Sequence, residues 1–477
     1  MKNIAMKSIF RLSALATASL LLAGCASVNI DQAVNDTNNA NPSFTGGKLA
    51  LSRTDQQLQA GRKLSGELLA RPLSMDDAVQ LALANSPAVQ TLLAQSWADM
   101  AQANQNGRIA NPLFTFERTT FGSELELGRL LSFGLLDLLL LPQRQVISRS
   151  QVAQARVQLS ANVVEQVTQV RQAWVRAVAA QQSLQYAGQV NRSAQASAEL
   201  ARRMQQVGNF NKLQRARQQV FYADAAAQLA SSQHAATAAR EELIRRLGLT
   251  DAQATELKLP ERLPDLPKEA REASVVNANA TQQRLDVQLA RNQLDIAGKS
   301  QGLNLITSLV DVELGIRRDT VFDNAAGTST PRRGYELGIR LPIFDWGSAR
   351  RDAMNAQSLA AANRYESTVR GASSQLRESY SAYRTAYDVA RHYRDEIVPL
   401  RKTMADENLL RYNGMLIGAF ELLADNREQI SSVIAAINAE QQFWLADAAL
   451  AASMTGKPTA TMMAAPATRG GSEAAGH

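Results

Sequence analysis

The sequence predicts a mainly α-helical protein with a small transmembrane β part, built twice over in one chain of 477 residues. Three observations carry that prediction. From Gln143 to Leu259 there is no proline and only Gly188, Gly208 and Gly248 interrupt, which suits long helices. Two pairs of short segments change the hydrophobic period from 3.6 to 2. Finally, the halves match at a spacing of 210 residues: Glu126-Leu127-Gly128 recurs as Glu336-Leu337-Gly338, and Gly208, Phe210, Leu213 and Arg217 fall on Gly418, Phe420, Leu423 and Arg427.

Composition narrows the function classes. The net charge of +7 comes from 51 basic residues scattered among 44 acids, with no stripe of the kind nucleic acid requires. The histidines are His234, His392 and His477, and none has a metal-ligand partner at a usable spacing. No nucleophile elbow or phosphate-binding loop occurs, so the expectation is no enzyme, no cofactor and no metal.

The N-terminus reads as an export signal over residues 1–24. Lys2, Lys7 and Arg11 precede an apolar run from Leu12 to Leu22, too short to span a bilayer. Leu22-Ala23-Gly24-Cys25 resembles the bacterial lipoprotein box, which implies an acylated Cys25. It is the only cysteine, so stability must come from packing rather than a disulfide within the chain. By the same resemblance, Ala26 in place of Asp favours the outer membrane. Residues 25–72 are polar and aperiodic, and the expectation there is an extended tether.

The first repeat is expected over 73–258. Ser74 with Asp77 is a capping pattern that opens a helix running to Gly107, broken at Ser86-Pro87. A strand pair follows over 113–133, turning at Gly122-Ser123. A long helical hairpin covers 143–247. Val163, Val167, Val170, Trp174, Ala177 and Leu184 form its heptad-like seam, and its first helix would be roughly 95 Å long at 1.5 Å per residue. Gly208 marks the reversal.

Three prolines in 259–271 mark the boundary between halves. The second repeat, 272–456, has a helix over Glu272–Ser300 and a strand pair within 309–343, with a polar loop expected from Arg318 to Arg333. Its hairpin, 348–454, should weaken at Pro399, and at the matching Gly188 in the first half. Its return helix carries Ile430, Ile434, Ile437, Gln441, Trp444, Ala448 and Ala451 at three-four spacing, and Gly414 and Gly418 lie where the chain reverses. Residues 457–477 read as a disordered tail.

Four alternating strands cannot close a barrel, and open edges are not tolerated in lipid. Three chains would supply twelve strands, so the pattern argues for a homotrimer. Glu124, Glu126, Asp311, Glu313, Arg317, Glu336 and Arg340 would then line water, and Phe121 and Tyr335 would fall near an interface.

With these segments in order, the chain from Leu73 to Ala452 resembles the TolC family of outer-membrane efflux proteins, in its lipoprotein branch. The carrying residues are Leu73 to Leu83 with Asn85-Ser86-Pro87, Tyr335 to Gly347, Pro399, and Tyr412 to Leu423. The resemblance implies a 12-stranded trimeric barrel in the outer membrane, continued by a periplasmic helical tunnel. It also implies passive export, with a periplasmic adaptor (membrane fusion) protein and an inner-membrane transporter as partners. Glu421 matches an acidic mouth position of the family, but the next such position is Ala424, with Asp425 one further. For Glu421 a gate and a solvated acid at a helix start are both open readings. Arg284-Leu285-Asp286 departs from the Arg-Pro-Asp common in the family, which puts that local turn in question. The alternative from another class is a non-pore periplasmic coiled-coil lipoprotein, structural or adaptor-like.

Overall fold

The computed structural model describes residues 28–272, 283–307, 311–323, 325–340, 343–344 and 346–457. Cys25, the expected signal segment and the expected tail from residue 458 lie outside them, as does most of the expected helix start between 273 and 282. The chain divides into two compact units. One comprises the residues up to Asp36, Ala94–Arg156 and Asn292–Ala361; the other comprises Thr37–Leu93, Val157–Arg291 and the chain from Ala362.

The first unit holds one antiparallel sheet in the order β1 (Leu113–Phe121), β2 (Glu124–Gly134), β3 (Asp311–Asp323) and β4 (Thr328–Arg340). Gly122, at φ +60°, makes the tight turn between β1 and β2. The expected loop from Arg318 to Arg333 is instead mostly strand, paired down to Asp323 and Thr328. Its charges gave it a loop-like appearance, but Thr320, Val321, Phe322 and Thr328 to Thr330 are mostly strand formers.

The N-terminal stretch is not an extended tether. It folds into α1 (Ile30–Ala40), the short α2 (Pro42–Thr45) and α3 (Asp55–Leu69). Ile30, Ala33, Val34 and Thr37 are buried at helical spacing, a face hidden in the sequence by intervening Asn, Gln and Asp. Thr54 and Gln57 form a reciprocal capping box at the start of α3. Within the second unit Asn38 exchanges two hydrogen bonds with the Leu49 backbone, at 3.0 and 3.2 Å. Arg171 also donates to the Ser43 carbonyl at 2.5 Å and stacks over Phe44.

Helices α4 (Met75–Asn85) and α5 (Pro87–Gln105) meet at Ser86, which is extended. After the short α6 (Leu135–Leu139), α7 runs unbroken from Leu141 to Gln206, so Gly188 does not interrupt it. The return helix is α8 (Lys212–Leu247), followed by α9 (Asp251–Glu256) and, past the linker, α10 (Leu285–Thr307). The second hairpin comprises α11 (Ser348–His392), a π turn (Tyr393–Ile397), α12 (Val398–Asn413) and α13 (Ala419–Thr455). Pro399 falls in the first turn of α12. The π turn absorbs it: the Val398 N–H reaches back five residues to Tyr393, and the helical path continues.

Val163, Val167, Val170, Trp174 and Ala177 of the first seam are all buried, while Leu184 is only half-buried. Trp174 donates its indole N–H to the Leu73 carbonyl at 2.8 Å. In α13 the aromatic cluster is lined by Ala439, Phe443, Ala446 and Leu450; of the expected seam Ile437 and Ala448 are buried, whereas Ile434, Gln441 and Trp444 are only half-buried. Phe443 packs edge-on against Tyr387 and Trp444, with ring centroids 5.8 and 5.1 Å away. Trp444 sits at the rim because its N–H is spent on the Pro264 carbonyl. Tyr387 and Tyr380 bond the backbone at Pro267 and Arg271, so the proline-rich linker is stapled to the second hairpin.

Candidate functional site

Strand residues alternate between faces, so the register assigns every side to one of two surfaces. Glu117 opposes Gly128, Leu130 opposes Arg317, and Arg317 opposes Gly334. Counting in twos from these pairs puts Glu124, Glu126, Asp311, Glu313, Arg317, Glu336 and Arg340 on one face. All seven sequence candidates share it. Glu117, Asp319, Asp323 and Arg332 join them, giving eight carboxylates against three guanidinium positions. For Arg340 and Asp311 only the backbone pairing is described.

The opposite face carries Phe114, Phe116, Leu125, Leu127, Leu131, Phe133, Val312, Leu314, Ile316, Phe322, Tyr335, Leu337 and Ile339. Phe114, Phe116, Ile316, Tyr335, Leu337 and Ile339 are openly exposed. Tyr335 stands on the apolar face, and Phe121 on the polar face at the turn end.

On the polar face Arg317 donates to Asp319 at 2.8 Å and lies 3.5 Å from Glu117, two strands away. Gly128 makes that reach possible. A Cβ there would come within 3.3 to 3.4 Å of Asp319, Arg317 and Glu117. The sequence reading missed Asp319 because it fell in the expected loop.

The hairpin tips repeat with a different register from the one the sequence implied. In the first, the amides of Val207, Gly208 and Asn209 reach back to Arg203, Gln205 and Met204. In the second, those of Gly414, Met415 and Leu416 reach back to Leu410, Tyr412 and Arg411. The spans of four, three and five residues are the same, so Gly208 corresponds to Met415 at an offset of 207, not to Gly418. Gly208 has φ +80° and Met415 φ +59°. Gly414 is not left-handed, and Gly418 caps α13 from an extended conformation, where Asn211 caps α8 with a capping box.

Glu421 is exposed in the first turn of α13. Asp425, one turn on, is engaged inside its own hairpin by the Asn408 amide. Arg427, which sequence reasoning singled out only as half of a repeat match, joins the two hairpins. Its guanidinium lies 4.3 Å from the centre of the Phe221 ring and donates to Gln218 at 3.1 Å and to the Arg217 carbonyl at 3.3 Å. Burial lowers its pKa from the usual arginine value.

Each return helix ends on a left-handed glycine pressed against the start of its own repeat. Gly248 has φ +67°, and a Cβ there would lie 2.5 Å from Pro87; Gly456 has φ +94°, and a Cβ would lie 2.6 Å from the Leu285 nitrogen. Asn85 closes the first junction by donating to the Gly248 carbonyl at 3.0 Å. Arg284 closes the second. Fully buried, it forks onto Asp286 at 3.0 and 2.7 Å and donates to the Ala372 carbonyl at 3.0 Å. The turn at Arg284-Leu285-Asp286 is therefore formed without the proline.

Among the described residues no cluster of His, Cys, Asp and Glu could hold a metal ion, and no helix is long and apolar enough to cross a membrane. No family model matches the chain, and no curated protein matches it. Solved structures do. The CusC structure aligns over 86% of this chain and 96% of its own, at TM-score 0.66 and 16% identity. The outer-membrane protein VceC from Vibrio cholerae covers 80% and 96%, at 0.66 and 15%. The open-state MtrE outer-membrane channel from Neisseria gonorrhoeae covers 81% and 91%, at 0.63 and 19%.

Proposed function

We propose, from a chain that has the fold of the TolC-type outer-membrane channels, that three copies form a passive export duct through the outer membrane. The observation that carries this is the segregation of the sheet, with carboxylates confined to one face and most of the apolar side chains to the other, while both edge strands are unpaired. The strands alternate in direction, so β4 of one copy can pair antiparallel with β1 of the next. Twelve strands then close with no edge left in lipid and a polar lining.

The neighbours support the surroundings of the reading: MtrE and VceC are described as outer-membrane proteins. We place the duct in a tripartite system, in the outer membrane and extending into the periplasm, with an adaptor protein and an inner-membrane transporter supplying energy. The hairpin tips suit adaptor docking, since Val207, Leu213, Met415 and Leu416 are all openly exposed apolar residues. Glu421 and Asp425 are the aperture candidates, and Cys25 is the lipid anchor. Ile30 begins a helix five residues after Cys25, a reach of at most ~18 Å. The anchor would therefore hold α1 close to the bilayer surface, not at the end of a long tether.

The test is direct. Detergent-extracted protein should run as a trimer and conduct ions in planar bilayers, and a stable monomer without conductance would sink the proposal. Cys25→Ser should abolish lipid labelling; labelling that persists would remove the anchor.

A further inference from the structure

We infer that the apolar face of the sheet carries a built-in arginine belt that holds the anionic phosphate headgroups of membrane lipids. The inference rests on the proposed barrel. Arg129 and Arg318 occupy facing positions, since the pairs Leu127–Thr320 and Leu130–Arg317 bracket them, and Arg318 pairs directly with Arg333. One row across three adjacent strands is therefore Arg129, Arg318, Arg333, ending at Phe116 on β1. Arg118 lies in the next row of the same face toward the turns, opposite Leu127.

Two features make this row anomalous. Facing Cβ atoms in a sheet are about 5 Å apart, and like charges so placed repel. Yet that face holds no carboxylate among the described residues, and none of the four arginines has a side-chain ion pair there. Arg317, on the other face, has two carboxylate partners at 2.8 and 3.5 Å. Among the described residues no group of the chain compensates this row, which leaves it open to an anion from outside.

The position of the row says which anion. From Arg333 to Ile339 the strand spans roughly 20 Å at 3.3–3.4 Å per residue. The outward residues over that length are Tyr335, Leu337 and Ile339 on β4, Ile316, Leu314 and Val312 on β3, and Leu131 and Phe133 on β2. With barrel strands tilted about 40°, that length rises roughly 15 Å, more than half of the apolar band of about 25 Å that a barrel presents to lipid. Arginine is costly at mid-bilayer and nearly free at its boundary, so the row belongs at headgroup level, with Phe116 and Tyr335 as neighbouring interface aromatics. Guanidinium forks match phosphate oxygens in a bidentate geometry that a lysine lacks. A trimer would repeat the belt three times around the barrel, on the leaflet nearer the β-turns.

The experiment uses the full-length protein reconstituted in vesicles of phosphatidylcholine with a trace of spin-labelled phosphatidic acid or spin-labelled phosphatidylcholine. The wild type should prefer the phosphatidic acid, and Arg129→Gln/Arg318→Gln/Arg333→Gln should lose that preference, at about fivefold for each cation removed from an anionic lipid surface. The triple variant should keep the wild-type single-channel conductance, because the belt does not face the lumen. A conducting wild type with no lipid preference, or a conducting triple variant that retains it, overturns the belt. Competition by millimolar inorganic phosphate as effective as by the lipid also overturns it, since the site would then take free anions. Failure of the wild type to insert or conduct at all instead removes the barrel on which the belt rests.

Discussion

Gly208 and Met415 are the same residue position in the two halves of the chain. Each is the left-handed step by which a helix ends before the hairpin reverses, with identical backbone hydrogen-bond spans around it. One half uses glycine, for which this conformation is free of strain. The other forces a methionine into it and leaves the side chain 92% exposed.

Gly208→Ala should therefore destabilise the first tip by about 1–2 kcal/mol, the cost of a Cβ in the left-handed region. Met415→Gly should relieve the same strain, less about 0.5–1 kcal/mol for the greater freedom of glycine when unfolded. Amide exchange at residues 203–211 and 410–418 measures both. Faster exchange in Met415→Gly would mean that the exposed methionine is held by something other than the turn.

The closing glycines should be far less tolerant. Gly248→Ala and Gly456→Ala each combine a positive φ with a Cβ closer than 3 Å to fixed atoms, so each should cost about 2–4 kcal/mol. Gly418→Ala, in open space, should be mild by comparison. Urea or thermal unfolding decides, and equal effects at all three sites would refute the account of the junctions.

How much of this was legible in the residues follows the same division. The first strand pair could be read directly, since Phe114, Phe116, Leu125 and Leu127 recur every second residue on either side of a glycine turn. The polar face of the sheet was legible for the same reason, because a period of two fixes sides as well as strands. Positions that depend on a partner distant in sequence were not. Ile30 and Val34 look like isolated apolar residues until α1 forms, and Pro399 looks like a break until a π turn absorbs it. Repeat matching by residue identity slipped by three at the tips. Met415 fills a role that sequence reasoning reserves for glycine, and no local pattern marks the exception.

Arg427 should hold the two hairpins of one chain together. A cation over an aromatic ring is worth about 1–2 kcal/mol when desolvated. Arg427→Ala should raise exchange along Arg217–Phe221, and if the tips form the mouth it should also raise the resting conductance. Arg427→Lys should rescue little, because an ammonium cannot donate to Gln218 and the Arg217 carbonyl from the same stacked plane. Unchanged exchange would remove Arg427 as a link.

Asp447 gives a pH dependence of unusual sign. Burial pushes its carboxyl above the ordinary value, although Arg271 at 2.9 Å and Arg171 pull it back. A carboxyl whose pKa is raised on folding binds its proton more tightly in the folded state. Its contribution is therefore unfavourable above the folded pKa, and that cost is relieved as pH falls toward the unfolded value of about 3.9. Asp447→Asn should be at least as stable as the wild type at pH 7, with the gap closing near pH 4. A large fall in Tm at pH 7 would show that the ion pair with Arg271 outweighs the burial.

The polar face makes the last prediction. Eight carboxylates against three guanidinium positions leave that face acidic in each chain, and the proposed trimer would multiply the excess by three. A low-dielectric wall focuses such a field into the lumen, so cations should be enriched there. A reversal potential measured across a tenfold KCl gradient should show cation preference. Glu313→Gln/Glu336→Gln should move it toward zero, because both sit in neighbouring rows of that face without an ion pair among the described residues. Raising the salt on both sides should shrink the difference between variant and wild type, as screening of a water-filled pore demands. An identical reversal potential in the two proteins would mean that this face does not line the conducting path.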